Sequence, residues 1–541
     1  MFSCTMFSKK LVKQWTMALL MALLASGTAG WAQDREIVFN LGDEPRTIDP
    51  ALNNAVDGID VIGNIFEGLM RIGLDGRPEP GSAESWEESE DGLTWTFHLR
   101  PDLKWSDGVP LTAEDFRYGF LRVLAPENAS PYAYLGYRIR NGRAYFDGKA
   151  ASSDVGLTAV DDRTLRIDLE HRTPLLPDYL AFGAFMPARA DVVEADPRGW
   201  SAKADFPCNG PFRITEWKHK AELVVVRNPH YWEADRVKLD AIRMVMIVDS
   251  STALAAFRAG RVDFIKSLPL QMIEQLVKSG EAEVTHSLGT AFCVFNVKAP
   301  PFDNPTVRRA FTLAIDRQAI VEKILRSGQR PGVAYIPYGI PGVEASPDFR
   351  AEGGEFLPAR ADPEAARALL AEAGYPNGEG FPHVAYKYNS NPGNKALAEA
   401  LQAMWKQVLG VEVELLSEEW KVFIDTRQRR DFQIARHAYM ADFFDPGSFM
   451  EMWRSDAAEN NANYSDPEYD ALIADSLRQT DRARRMEALH RAEAILMRDL
   501  PVLPVYFYSD ATMTSPRLKG VYHSPFGYTF FRYAEVAPVS R

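Results

Sequence analysis

Hydrophobic positions along this chain recur with two periods, and the changeovers between them mark its elements. Trp95, Phe97 and Leu99 alternate with Thr96, His98 and Arg100, which predicts a half-buried strand with His98 on its polar face. Residues 37–41, 164–169, 290–296, 411–415 and 501–513 read as further strands. Helical spacing takes over at Val307, Ala310, Phe311, Ala314 and Ile315, behind Asn304-Pro305, a cap followed by a proline at the first helical position. Asp362-Pro363 repeats the device, and Gly374 ends that helix. Thr112 with Asp115 three residues on predicts a helix start through an acidic capping box. Amphipathic spacing predicts helices over 394–409 and 467–499, with Arg482, Arg484, Arg485 and Arg491 on a solvated face. Between residues 241 and 265 an apolar strand, a helix ending at Gly260 and a short strand follow one another, the order of a parallel sheet covered by helices.

The stretch 419–449 changes the picture from architecture to chemistry. An amphipathic helix runs into a strand carrying Phe432, Ile434 and His437, and the strand meets a turn at Asp445-Pro446-Gly447. Just before the turn, Asp442 is enclosed by Tyr439, Met440, Ala441, Phe443 and Phe444. A carboxylate in such company costs several kcal/mol to desolvate unless a cation pairs with it. Two readings stand: an internal Lys or Arg supplies the cation, or Asp442 waits for a ligand's ammonium group.

The run Trp420, Arg427, Arg436, Tyr439, Ala441-Asp442 and Pro446 resembles the ligand-binding segment of periplasmic oligopeptide-binding proteins, the receptors of ABC peptide importers (extracellular solute-binding protein family 5). EPRTIDP followed by IFEGLM, the block 83–120, CNGPFRITEW and NPHYW resemble the same family's signatures. The resemblance implies an α/β, two-lobed periplasmic binding protein (type II-like, cluster C), with mixed sheets flanked by helices and an extra domain inserted in the N-terminal lobe. It implies a first lobe from residues 33–66, 187–288 and 506–541, an extra domain over 67–186, and a second lobe over 289–505 that carries the peptide-binding segment. It further implies that Asp442 pairs with a peptide's α-ammonium and that Arg436 and Arg427 receive its carboxyl end. Trp420 and Tyr439 would wall the groove, and backbone groups at Ala438–Met440 would pair with the ligand as an added strand. Glu44 matches a position lying against the peptide backbone; its other reading is an exposed turn acid. Leu325 and Asn394 stand where relatives carry a basic side chain and a histidine, so either Arg436 selects a shorter length class or Arg326 substitutes. Gly289 and Met440 replace two cysteines that some relatives join.

The amino terminus adds a destination. Lys9, Lys10 and Lys13 precede an apolar run over 15–25, and Gly30 and Ala32 stand at the −3 and −1 positions of a cut before Gln33, so residues 1–32 read as a secretory signal peptide for a Gram-negative periplasm. Loss of those three lysines and no acid takes the net charge from −13 to −16. That acidity argues against nucleic acid and against an anionic membrane surface as partners. Nothing after residue 33 is long and apolar enough for direct membrane insertion. Short peptides and the permease subunits of an ABC importer are the partners expected of a monomer. Cys208 and Cys293 remain, and spacing leaves open whether they pair.

Catalytic motifs are missing: no nucleophile elbow, phosphate-binding loop, dinucleotide fingerprint or His-Glu-x-x-His occurs. No enzyme activity, cofactor or metal is expected. The rival readings are a family member for another solute (a murein peptide, a metal chelate, haem or an oligosaccharide), an exported hydrolase, and a chaperone-like protein.

Overall fold

The computed structural model describes residues 35–344, 347–457 and 459–537. The expected signal peptide lies outside the described residues. Strand periodicity is realised where it is strongest: Thr94–Leu99 alternates half-buried and buried side chains along its length. It sits in a four-stranded antiparallel sheet with Ala83–Glu88, Thr164–Asp168 and Leu157–Asp161. The helix Ala113–Leu124 packs over it, started by the predicted box, with the Thr112 backbone N–H donating to Asp115 Oδ2 at 2.8 Å.

Everything else hangs on one mixed sheet of eleven strands. On one flank Glu36–Asn40 runs parallel to Ala241–Val245 and to Phe264–Ile265, as the β-α-β reading required. On the other flank Val384–Asn389 runs parallel to Val413–Glu418 and, over two residues, to Ile434–Met440. Two thirteen-residue strands, Glu283–Phe295 and Val502–Thr514, pair antiparallel through the middle and join the flanks. Their ladder breaks first at a bulge between His286 and Thr290, and again on the partner strand, where Ala291 and Phe292 face Tyr506 and Pro504. Before the bulge Glu283–His286 faces Ser509–Thr512; beyond it the strand also takes Ile434–Met440 as a partner. A bulge unpairs one residue and bends the strand, so the two lobes meet at two bent strands.

The apolar core has one large cluster that runs across both flanks, from Phe39 and Phe264 to Phe292 and Trp453, and a smaller one on each side. Phe311, Trp405 and Tyr386 centre one cluster under the Val384–Asn389 flank, and Ala253, Leu276 and Met513 centre another on the opposite flank.

Several expectations are corrected. The strand expected at 411–415 occupies Val413–Glu418. The helix expected over 467–499 is two helices, Pro467–Arg478 and Arg482–Asp499, because Asp481 caps the second by accepting from the Ala483 N–H. The arginine face is only partly solvated: Arg485 is buried, and Arg482 donates to the carbonyls of Pro341, Gly342 and Val343. Cys208 and Cys293 are separate buried thiols, and burial pushes both up to about 12. Arg326 donates to the Lys323 carbonyl.

Candidate ligand-binding site

The helix Trp420–Gln428 and the strand Ile434–Met440 form as the pattern predicts. Glu419 caps the helix by accepting from the Lys421 and Val422 N–H groups. The strand is held on one side by Glu283–Phe295, with Gly289, Thr290 and Ala291 opposite Met440, Tyr439 and Ala438. A Cβ on Gly289 would sit 2.1 Å from the Met440 sulfur, so only glycine leaves that side chain its place. On the other side the Val384–Asn389 strand reaches only Ile434 and Ala435. The edge of Ala438 and Met440 therefore has no neighbouring strand among the described residues. Asn296 donates to the Gln433 carbonyl and Ala441 to that of Leu288, which by the period of two turns the backbone groups of Ala438 and Met440 toward the bare side. The Ala438 N–H donates to the preceding imidazole, at His437 Nδ1 (2.8 Å).

Past the strand, Asp442 Oδ2 accepts two phenolic hydrogen bonds, 2.8 Å from Tyr439 and 2.9 Å from Tyr134. Its backbone N–H donates to Ser448 Oγ, which is also 3.1 Å from the Tyr439 hydroxyl. No arginine, lysine or histidine among the described residues lies within 4 Å of its carboxylate. Burial raises the carboxyl from 3.8 to about 6; the two phenols oppose that rise, and Glu459 and Glu451 add to it. Burial, and then the charge of Asp442, push the Tyr134 phenol well above its ordinary value, so it stays a donor. Asp445, three residues on, is the opposite case: Arg485 grips it with both terminal nitrogens, at 2.7 Å for Nη2–Oδ1. The internal-cation reading of this turn holds for Asp445 and not for Asp442.

Positive charge collects at the other end of the strand. Arg436 donates to the Tyr508 hydroxyl at 3.1 Å and to Asn389 Oδ1 at 3.4 Å. Arg427 lies over the Phe423 ring, and its buried Nε has no hydrogen-bond partner. Burial, and then the charge of Arg436, pull Arg427 down to about 10. Neither guanidinium meets a carboxylate within 4 Å among the described residues. His437 is held neutral by burial and by both arginines, and it stacks 4.7 Å from Phe292. Over Arg436 opens a cavity of about 510 Å³ that Trp420, Leu325 and Asn394 help to line.

The remaining expected residue stands apart from this strand. Glu44 is half-buried, its Oε1 3.1 Å from Trp217 Nε1 and 2.7 Å from His219 Nδ1, so it is not the free turn acid of the alternative reading. Residues that sequence reasoning missed are Tyr134, Ser448, Asn389 and Tyr508. Tyr134 lies in the short helical stretch Ala133–Arg138, more than 300 positions from Asp442, with no local pattern to mark it. It also walls a second cavity, of about 520 Å³, crossed by the Arg138–Glu451 ion pair. Among the described residues no group of three or more His, Cys, Asp or Glu is placed to hold a metal.

Two α/β lobes joined by bent strands, with charges of opposite sign near the two ends of one strand that meet no counter-charge among the described residues, define a solute-binding protein. The chain belongs to the bacterial extracellular solute-binding proteins, family 5: the model of that family's middle region matches residues 77–461. The oligopeptide-binding protein OppA of Bacillus subtilis (strain 168) is 36% identical over 96% of this chain and 99% of its own. The periplasmic murein peptide-binding protein MppA of Escherichia coli (strain K12) is 34% identical over 92% of each. Among solved structures, Haemophilus influenzae OppA in complex with RPPGFSPFR superposes with a TM-score of 0.81 at 32% identity, covering 94% of this chain and 99% of that one.

Proposed function

We propose that this chain is a periplasmic receptor that captures short peptides between its lobes and delivers them to the permease subunits of an ABC importer. One observation carries the reading: among the described residues, a carboxylate without a cation and two guanidiniums without an anion flank a strand edge without a partner strand. A peptide supplies all three complements, an ammonium, a carboxylate and a row of backbone donors and acceptors. Asp442 takes the ammonium through a charge-assisted bond, Ala438 and Met440 pair with the backbone, and Arg436, backed by Arg427, takes the carboxylate. Tyr439 and Trp420 form walls, and Glu44, held by Trp217 and His219, stands on the opposing lobe. Six residues separate Arg436 from Asp442, roughly 20 Å at 3.3 Å per residue, the span of a ligand of about five or six residues.

The lobes in this reading are 33–66 with 187–288 and 506–541, then 289–505, with 67–186 as the extra domain. Closure over the ligand excludes water and strengthens both end pairings. The receptor is a monomer exported by its signal peptide.

Calorimetry with an alanine pentapeptide in four forms (free, amino-acetylated, carboxy-amidated, doubly blocked) tests the proposal. The free peptide binds, each single block weakens binding by at least about tenfold, and the doubly blocked form does not bind. Equal affinity for all four forms removes the reading. Native mass spectrometry of freshly purified protein identifies retained ligands and separates short peptides from murein peptides.

A further inference from the structure

The cavity over Arg436 has walls of a kind that a carboxylate alone does not call for. Trp420 opens its helix with half its surface exposed (50%), and Leu270 opens the helix Leu270–Lys278 with 46% exposed; both face this cavity. They come from opposite lobes. The Leu270 helix packs through Ile273 and Leu276 onto the cluster with Ala253 and Met513, whereas the Trp420 helix packs against the strand Val384–Asn389 on the other flank of the sheet. Leu325 and Leu397 extend the apolar wall behind Arg436. Large apolar side chains exposed in a concave site mark a surface that is covered in use.

The polar lining is equally selective. Beside Arg436 it offers amides and phenols, Asn389, Asn394, Gln329 and Tyr508 among them, and no aspartate or glutamate. A lysine or arginine side chain entering here would find no counter-charge and would approach Arg436 with like charge.

We propose that this cavity is the subsite for the ligand's carboxyl-terminal residue and selects a large apolar side chain there. The inference rests on the peptide reading above. The terminal carboxylate sits on Arg436, and the adjacent side chain fills the space between Leu270 and Trp420. The same side chain then touches both lobes, so a well-filled subsite also holds them together.

Calorimetry with alanine pentapeptides ending in Phe, Leu, Ala or Lys tests this. Phe- and Leu-ended peptides bind about tenfold tighter than the Ala-ended one, and the Lys-ended peptide binds more weakly than Ala. Leu270→Ser and Trp420→Ala, both at half-exposed positions and checked by melting curves, each bring the Phe-to-Ala ratio below about threefold. If the four peptides bind within about twofold of one another while amino-acetylation still weakens binding, the subsite is overturned and the peptide reading stands. If none of the four binds, both are overturned.

Discussion

The Tyr134 hydroxyl donates to Asp442 Oδ2 from a segment 308 residues away, tying the region before the first long strand to the end of the ligand-binding strand. Hydrogen bonds to charged groups contribute about 1.5–3 kcal/mol. Tyr134→Phe removes a donor that favours the ionised carboxylate, so the Asp442 pKa rises further. Peptide affinity at pH 7 falls by about 10- to 150-fold, and the effect shrinks for amino-acetylated peptide; titration calorimetry of both ligands checks it.

Asp442 and Asp445 respond oppositely to the same substitution. Asp445→Asn leaves Arg485 buried without its anion and destabilises the fold by about 3–5 kcal/mol, read from urea unfolding. Asp442→Asn removes a desolvated charge that has no cation. The rise from 3.8 to about 6 corresponds to about 3 kcal/mol against the ionised form in this buried setting. The ligand-free Asp442→Asn protein is therefore more closed and no less stable than the parent, which small-angle scattering and melting curves measure, while its peptide affinity drops by at least about tenfold.

Affinity depends on pH with a definite sign. Ammonium capture needs the Asp442 carboxylate, so affinity rises as pH climbs through about 6 and falls again as the peptide amine deprotonates near about 8. Between 3.8 and about 6 the closed empty protein binds the extra proton, so its stability falls as pH rises across that window, and peptide binding there releases a proton. Asp178, pushed up to about 7 by burial and by Asp445, titrates in an overlapping range. The readout is accordingly the affinity ratio of free to acetylated peptide, together with proton release in buffers of different ionisation enthalpy.

Arg436 and Arg427 are not equivalent. Arg436 lines the open cavity and Arg427 stands behind it with one nitrogen unpartnered. Arg436→Met weakens binding of a free-carboxyl peptide by at least about tenfold and leaves the amidated peptide nearly unaffected. Arg427→Met relieves the repulsion between the two cations, raising the melting temperature of the empty protein with a smaller loss of affinity.

Local periodicity made the scaffold readable. Thr94–Leu99, the capping box at Thr112 and the helix behind Asn304-Pro305 each depend on neighbours within a few residues. The split of the expected 467–499 helix was marked only by Asp481, one cap among many acids, and the burial of Arg485 depends on Asp445, forty residues away. In the site, the apolar surroundings of Asp442 made it stand out. Its lack of a cation was not legible, because an arginine reaching it could have come from any segment. Tyr134 and Tyr508 escaped for the same reason, since nothing beside them in sequence distinguishes them from core tyrosines.

The bridging ladder also dictates when the molecule can be finished. A chain that emerges amino end first carries the bare edge of Glu283–Phe295 for more than two hundred residues before Val502–Thr514 arrives to cover it. Products truncated ahead of residue 502 thus keep an unsatisfied strand edge that invites aggregation, and folding must await nearly the whole polypeptide.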